Sequence, residues 1–477
     1  MLLLMGSHIY FSLHLRGIQR RTGEGIRKSL TGQRGINGIS PFGALATSLA
    51  AAIGTGNIIG VATAVALGGP GAVFWCWLTG VLGMATRYAE SLVCLRHRRK
   101  RKDGDEAGGA MYVLNDVLHW RGMAKCFAVM GIFAAAGTGA MIQSNAICRT
   151  VHDGTGFPLW LLGALVAAAA GAIILGGIRT IAAACEKLVP TMSALYLLGC
   201  GAVLIRCRAD ILPALETILH SAFLPRAAGG GFVGSTMITA MRYGVARGLF
   251  TNESGMGTAP MAAAAGPGRK PEEEALISMT GVFWDTVVIC AMTGITLVAA
   301  MLHAPERFRD AAAGSLCFRA FSLIPGGQPI LMASLVAFAF STVVGWCYYG
   351  ECCTEYLLGK DWILGYRMLY LACTFLGSFA PLEGLWSLGS LLAGLMATPN
   401  VLMLFALRKK ILPPVGQERS RRGRSGKMVA FPPKIGIIMS DEEQKMRGNA
   451  FKFKPCGVAG LSKTKGSLRP WERKNGK

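Results

Sequence analysis

Apolar stretches recur along this 477-residue chain, separated by short polar segments. A membrane-spanning helix needs roughly 20 predominantly apolar residues. After residue 40, ten runs meet that length: approximately 42–67, 71–95, 123–148, 157–177, 187–206, 236–265, 276–302, 328–357, 362–380 and 384–407. The pattern predicts an all-α integral membrane protein. Another apolar stretch, Leu2–Leu15, is too short to cross unaided and starts as if already inside a helix, which points to a start codon upstream; a re-entrant or interfacial segment is the alternative. The expected divisions are an N-terminal helix at 1–16, a basic loop at 17–40, a core at 41–407 and a tail at 408–477.

Two of the ten runs are broken in their middles by residues that helices avoid. The first reads Ala51-Ala-Ile-Gly-Thr-Gly-Asn57 and the second Arg247-Gly-Leu-Phe-Thr-Asn-Glu-Ser-Gly-Met-Gly257. Glycine costs close to 1 kcal/mol against alanine in a helix interior, and Asn, Thr or Glu at bilayer depth needs a partner. The broken runs are the first and sixth of ten, so they occupy matching places in two five-helix halves. Five is odd, and the second half is therefore inserted upside down relative to the first. Discontinuous helices at such a repeat interface are how secondary transporters hold an anionic group at half-helix N-termini and a cation on freed carbonyls. Close packing of small residues accounts for Gly131, Gly137 and Gly139, but packing alone needs neither Asn57, Asn252 nor Glu253.

Composition agrees with a membrane protein and excludes most else. Hydrophobic residues make up 52% and charged residues 16%, against about 25% charged in soluble domains. The net charge of +23 is uneven: Arg408–Lys477 holds 19 Lys and Arg against five Asp and Glu. The excess therefore marks a tail rather than a nucleic-acid-binding surface. Loop charge orients the chain. Residues 16–40 and 95–102 carry six Lys or Arg each, and alternation from there puts 17 on one side against seven on the other, which makes the basic side and the C-terminus cytoplasmic. Such a tail is expected to be disordered and to lie on anionic headgroups; a solvated tail without a function is the alternative. Fourteen cysteines form no C-x-x-C pair, and Cys94, Cys126, Cys200, Cys290 and Cys373 sit in apolar runs as small hydrophobes. There is no H-E-x-x-H, P-loop or G-x-S-x-G motif, so no enzyme is expected.

From about Gly17 to Leu407 the sequence resembles the sodium:alanine (sodium:amino acid) symporters of bacteria and archaea. The blocks that carry the resemblance are Ser40-Pro-Phe-Gly-Ala-Leu-Ala-Thr-Ser-Leu-Ala-Ala-Ala-Ile-Gly-Thr-Gly-Asn-Ile58, Ala66-Leu-Gly-Gly-Pro-Gly-Ala-Val-Phe-Trp75 and Arg247-Gly-Leu-Phe-Thr-Asn-Glu-Ser-Gly-Met-Gly-Thr-Ala-Pro260. Trp284-Asp-Thr-Val-Val288, Ser341-Thr-Val-Val-Gly-Trp-Cys-Tyr-Tyr-Gly-Glu351 and Met396-Ala-Thr-Pro-Asn400 extend it. The resemblance implies a ten-helix core of five-plus-five inverted repeats of the leucine-transporter type with one extra N-terminal helix. It also implies cotransport of sodium with a small neutral amino acid, alanine or glycine, across the cell membrane; proton-coupled transport using Glu253, or a non-transporting amino-acid-binding receptor or channel on the same scaffold, is the alternative.

A zwitterion needs donors for its carboxylate and acceptors for its ammonium. Amides near Gly54, Thr55, Gly56 and Asn57 open the half-helix after the first break, so its positive end can face a carboxylate. Carbonyls near Phe250, Thr251 and Asn252 end a half-helix and suit an ammonium. By resemblance, Gln143 and Trp346 complete the pocket, and the bulk of Phe250 and Trp346 leaves room for little beyond a methyl group. For sodium, the first helix can offer the carbonyls of Ala50 and Ile53, freed by the kink at Gly54, and the eighth the hydroxyls of Ser341 and Thr342; the fold that the resemblance implies places a sodium site between those two helices. Back-bonding of those hydroxyls within their own helix is the alternative. Among the other charges, Arg87 and Glu90 are three apart and expected to pair locally. Glu253 is expected to stabilise the unwound backbone, or alternatively to carry a proton. Asp285, Glu351 and Glu355 are expected near hydrated helix ends. His119, His152, His220 and His303 are expected in or near loops.

Overall fold

The computed structural model describes residues 1–32, 34–35, 38–100, 106–224 and 236–412, apart from the side chains of 382, 383, 385–388 and 390. The chain divides into the units Met1–Val415 and Gly416–Lys477. Most of the expected tail, from 413 on, lies outside the described residues.

Each predicted apolar run coincides with a helix or a broken pair of helices. The chain opens with α1 (Leu2–His14) and α2 (Thr22–Leu30), followed by α3 (Pro41–Ala52), α4 (Val61–Gly68) and α5 (Gly71–Arg96). A two-stranded ribbon, β1 (Arg99–Lys100) with β2 (Glu106–Ala107), leads into α6 (Ala110–Asp116), α7 (Arg121–Ala134) and α8 (Ile142–Thr155). Then come α9 (Leu159–Ile174), α10 (Gly177–Arg206), α11 (Ile211–Phe223), α12 (Met237–Asn252), α13 (Ala259–Ala264), α14 (Pro271–Val282) and α15 (Ala291–His303). The chain continues through α16 (Leu316–Phe321), α17 (Gly327–Leu358), α18 (Ile363–Gly377) and α19 (Leu382–Ala406). Among the described residues, four continuous helices are long and apolar enough to cross a membrane: Arg121–Thr155, Gly177–Arg206, Pro271–His303 and Gly327–Leu358. The pair Pro41–Ala52 and Gly56–Gly68, bent by 54°, makes a fifth if taken as one span.

The breaks and bulges follow from local chemistry. Ser40 accepts from the Gly43 amide at 2.8 Å and Pro41 occupies the first turn, a strong helix start for α3. Thr236 caps α12 in the same way. Three wide π turns, at Gly56–Gly60, Ala135–Met141 and Phe283–Cys290, interrupt otherwise α-helical rods. Such turns are frequent at functional sites, and all three lie beside the breaks. Around them, α5 packs against α12 and α14, while α17 packs against α3, α7 and α10. A Cβ at Gly345 would lie 2.7 Å from the Ala51 amide, so α17 approaches the end of α3 more closely than any other residue would permit.

The expectation of small-residue packing holds for Gly131 and Gly139, whose added Cβ atoms would strike Cys353 and Trp346, whereas Gly137 faces open space. Cys94, Cys200 and Cys290 are buried, Cys373 is half-buried and Cys126 is exposed. The N-terminal stretch is a helix packed on α5 and α19.

Candidate functional site

The first break begins where α3 loses its hydrogen-bond ladder. The Gly54 amide, which would close on Ala50 in a continuing helix, donates instead to Asn57 Oδ1 at 3.0 Å. The Asn57 amide donates to the Gly54 carbonyl at 3.1 Å and so leaves the Ile53 carbonyl free. Both orphaned carbonyls face α17. Ser341 Oγ lies 3.3 Å from the Ala50 oxygen and 3.4 Å from that of Ile53, and Thr342 Oγ1 lies 3.1 and 3.2 Å from the same two. Each hydroxyl also reaches its own helix at Phe338 O, at 2.8 and 3.1 Å. A hydroxyl carries one proton, so two protons serve six oxygen contacts. Four uncharged oxygens therefore converge with lone pairs to spare, an arrangement suited to a hard monovalent cation.

A small cavity of about 20 Å³ lies between the two breaks. Its lining includes Gly54, Gly56, Gln143, Phe250, Thr251, Thr342 and Trp346, all expected from sequence. It has room for about one water, so the breaks are closed upon each other. Gln143 Oε1 accepts from the Thr55 amide at 3.3 Å. A larger adjoining cavity of about 620 Å³, lined by Ile59, Thr63, Leu67 and Tyr243 among others, shares Arg247, Phe250, Met256 and Ala393 with the small one.

Two expected ligands stand elsewhere. Asn57 is wholly buried, but its Nδ2 donates to Asp285 Oδ1 at 2.7 Å, which ties the first break to the π turn at Phe283–Cys290. Asn252 is also buried, and its Oδ1 accepts from the Ser254 amide at 2.9 Å. Both carboxamide oxygens serve backbone amides of the breaks rather than the cavity, while Asn252 Nδ2 is buried without a partner among the described residues. Thr55 is buried beside the cavity, and its hydroxyl has no partner among the described residues.

The second break is held from α5, which corrects the expectation of a purely local Arg87–Glu90 pair. These side chains do approach at 3.6 Å. Arg87 also donates to the Asn252 carbonyl, one of those expected to meet an ammonium. Glu90 Oε2 accepts from the Gly255 amide at 3.0 Å, the Gly257 amide at 3.1 Å and Asn400 Nδ2 at 2.9 Å. Gly255 and Gly257 have φ of 84° and 78°, and Glu253 has 52°. Left-handed backbone suits glycine and lets successive amides turn toward one carboxylate. Asp285 and Glu351 are likewise not at hydrated ends: Asp285 is wholly buried, and Glu351 is 5% exposed and binds Arg367 at 2.7 and 3.0 Å. Glu355 is half-buried near the end of α17. His119, His152 and His220 are exposed, and His303, half-buried, meets Asp210 at 2.9 Å.

Several residues were missed by sequence reasoning. Arg247 lines both cavities, donates from Nε to Thr251 Oγ1 at 3.0 Å and stands 5.1 Å over the Phe250 ring. Its room comes from glycines: a Cβ at Gly56 would lie 2.0 Å from Nη2, and one at Gly60 would lie 2.1 Å from Cζ. Spacing was a usable signal, since Arg247 and Thr251 are one helical turn apart. Thr138, Met256 and Ala393 also line the small cavity. His8 of α1 is wholly buried, 2.9 Å from Thr86 Oγ1.

Residues 1–427 match the family described as the sodium:alanine symporter family. The sodium/alanine symporter AgcS of Methanococcus maripaludis is 42% identical over 416 residues, covering 85% of this chain and 91% of that protein. An uncharacterized transporter of Haemophilus influenzae is 42% identical over 418 residues, covering 86% and 91%. The probable sodium/glutamine symporter GlnT of Bacillus subtilis is 35% identical over 436 residues, covering 90% and 89%. The crystal structure of MhsT in complex with L-phenylalanine aligns with a TM-score of 0.52 at 14% identity, covering 79% of this chain and 90% of that one. That similarity is one of fold, of the leucine-transporter type.

Proposed function

The chain belongs to the sodium:alanine symporter family, and from that premise we propose that it couples sodium entry to uptake of a small neutral amino acid, alanine or glycine, by alternating access. The observation that carries this reading is the convergence of Ala50 O, Ile53 O, Ser341 Oγ and Thr342 Oγ1 beside the cavity between the breaks. Thr342 belongs to both, so a cation there and a solute in the cavity act on the same pair of helices. Ion binding draws α17 to α3, and that contact favours the closed cavity when the solute is also present. Each then strengthens the other, because coupling between sites is reciprocal. Gln143 and Thr55 hold the solute's carboxylate end, while Phe250 and Trp346 limit its side chain. The core sits in the cell membrane with the basic loops and C-terminus cytoplasmic, and the larger cavity then opens outward.

One inward charge supplies about 2.3 kcal/mol per 100 mV, enough for roughly 40-fold accumulation. Purified protein in liposomes should accumulate radiolabelled alanine or glycine with an inward sodium gradient and lose accumulation in choline, and Asn57→Ala should abolish it by releasing the first break. Uptake unchanged in choline rejects sodium coupling. Uptake driven by a pH step without sodium, and lost in Glu253→Gln, would instead establish proton coupling.

The glycines under Arg247 give a sharper steric test. Gly56→Ala or Gly60→Ala adds a methyl inside the guanidinium's place without opposing helical backbone. Each is expected to lower alanine uptake at least tenfold with unchanged expression and thermal stability. Gly137→Ala, with nothing within 4 Å, is expected to leave uptake near wild type. Equal effects at all three positions would remove the steric account.

A further inference from the structure

The halves on either side of the two breaks line different cavities. The larger cavity takes walls from the half-helix after the first break, at Ile59, Thr63 and Leu67, and from the half before the second, at Tyr243 and Phe250. The converse halves, α3 before the first break and α13 after the second, meet α14 around another cavity, of about 10 Å³. Its lining includes Pro41 and Ser48 of α3, Ala259 and Ala263 of α13, and Glu274 and Ser278 of α14. That volume holds about one water-sized particle. The cavity lies on the side of the basic loops, since Lys28 of α2 pairs with Glu273, the neighbour of Glu274, at 2.9 Å. Ser48 precedes the sodium-facing carbonyls of Ala50 and Ile53 on α3, by about 3–8 Å along the helix axis.

Glu274 is 1% exposed, and its Oε1 is buried without a hydrogen-bond partner among the described residues. Its carboxylate forms no ion pair among them either. Arg98 and Arg269 act on it from a distance, and Glu273 opposes them. Both guanidiniums are engaged elsewhere: Arg98 donates to Glu106 Oε2 at 2.6 Å, and Arg269 to the carbonyls of Lys28 and Thr31 at 3.2 and 2.7 Å. The positive end of α14 favours acidic residues in its first turn. Glu272 and Glu273 meet that need at the surface, paired to Arg96 and Lys28, and it gives no reason to bury a third carboxylate. Burying one without a direct partner is costly. Ser278 Oγ accepts from Ser91 at 2.8 Å and keeps its own proton and a lone pair, and Ser48 is 7% exposed. One carboxylate and two hydroxyls thus meet at a cavity whose remaining walls are apolar, an all-oxygen set of the kind hard cations prefer.

We propose that Glu274, with the hydroxyls of Ser48 and Ser278, forms a transient second station for sodium between the site at Ala50, Ile53, Ser341 and Thr342 and the cytoplasm. This goes beyond the transport reading and rests on it. When α3 parts from α17, the carbonyls of Ala50 and Ile53 leave the two hydroxyls, and the ion loses half of those oxygens. Apolar walls repay none of the cost of a dehydrated charge, whereas a fixed carboxylate about one turn further along α3 does. The station therefore speeds release, and in the reverse direction it gathers cytoplasmic sodium for rebinding.

The test uses right-side-out membrane vesicles carrying the full chain. Initial uptake of radiolabelled alanine is measured at fixed external sodium while internal sodium is raised, and internal sodium should inhibit the wild type by rebinding. Glu274→Gln should raise the internal concentration for half-inhibition at least tenfold and lower maximal uptake at least threefold. The sodium dependence of equilibrium alanine binding to the purified variant should stay within twofold of wild type, because it reads the site at Ala50. Glu274→Asp should recover part of the internal inhibition, and Ser48→Ala should weaken it to a lesser degree. Half-inhibition unchanged in Glu274→Gln leaves the carboxylate a structural group and overturns the station. An equal weakening of equilibrium sodium dependence places Glu274 in the main ion site and also overturns it. Should Glu274→Gln fail to fold, wild-type inhibition in both Glu274→Asp and Ser48→Ala overturns it instead. Wild-type uptake indifferent to sodium on both sides would overturn the transport reading, and the station with it.

Discussion

The double substitution Ser341→Ala with Thr342→Val is expected to raise the sodium concentration for half-maximal alanine uptake by on the order of 100-fold or more. Hydrogen bonds and ion contacts to a charge are worth about 1.5–3 kcal/mol each, and 1.4 kcal/mol is tenfold in affinity. Two of the four converging oxygens disappear, while both substitutions keep the volume close to that of the original side chains. If the hydroxyls serve only their own helix through Phe338 O, removing them alters stability slightly and leaves sodium dependence alone. The measurement is initial uptake in proteoliposomes across a sodium series, with alanine saturating. A sodium curve that superimposes on wild type excludes these residues as ion ligands. A comparable loss of alanine affinity at saturating sodium would place their effect on the solute rather than the ion.

Glu90→Ala should be the most destabilising single change in the core. Glu90 Oε2 gathers three donors, two of them backbone amides of the unwound segment. Leaving a buried donor unpaired costs about 1–3 kcal/mol, and Arg87 would lose its carboxylate neighbour as well. A drop in apparent melting temperature on the order of 10 °C follows for a large chain, read from the fraction surviving as a single size-exclusion peak after heating. Glu90→Gln keeps one acceptor oxygen and should fall between. Glu272→Ala is the comparison: its 2.7 Å pair with Arg96 is 34% and 38% exposed, and exposed pairs contribute about 0–1 kcal/mol. Equal losses for Glu90→Ala and Glu272→Ala would show that the buried carboxylate does not hold the break.

Much of this molecule was legible residue by residue. The apolar runs marked the helices, and glycine with Asn57 and Glu253 marked both breaks. The resemblance supplied Ser341 and Thr342, whose hydroxyls lie within hydrogen-bonding distance of the carbonyls of Ala50 and Ile53. Asn57 and Asn252 were legible as important but not in their roles. A carboxamide at a break can face a ligand or cap the chain, and only packing distinguishes the two. Asp285 was misplaced because distance along the sequence from a helix end says nothing of a partner arriving from another helix.

Helix and break are decided by the chain itself, since backbone hydrogen bonding and the steric freedom of glycine act within a turn. The sequence alone therefore determined the all-helical membrane character, the two interruptions and the residues crowded around them. The tertiary structure decided what those residues do. Glu90 reaches Gly255, and Arg247 settles over Gly56, across intervals of more than 150 residues. Such pairings depend on which helices pack together and how closely, and charge type along a chain does not encode that distance.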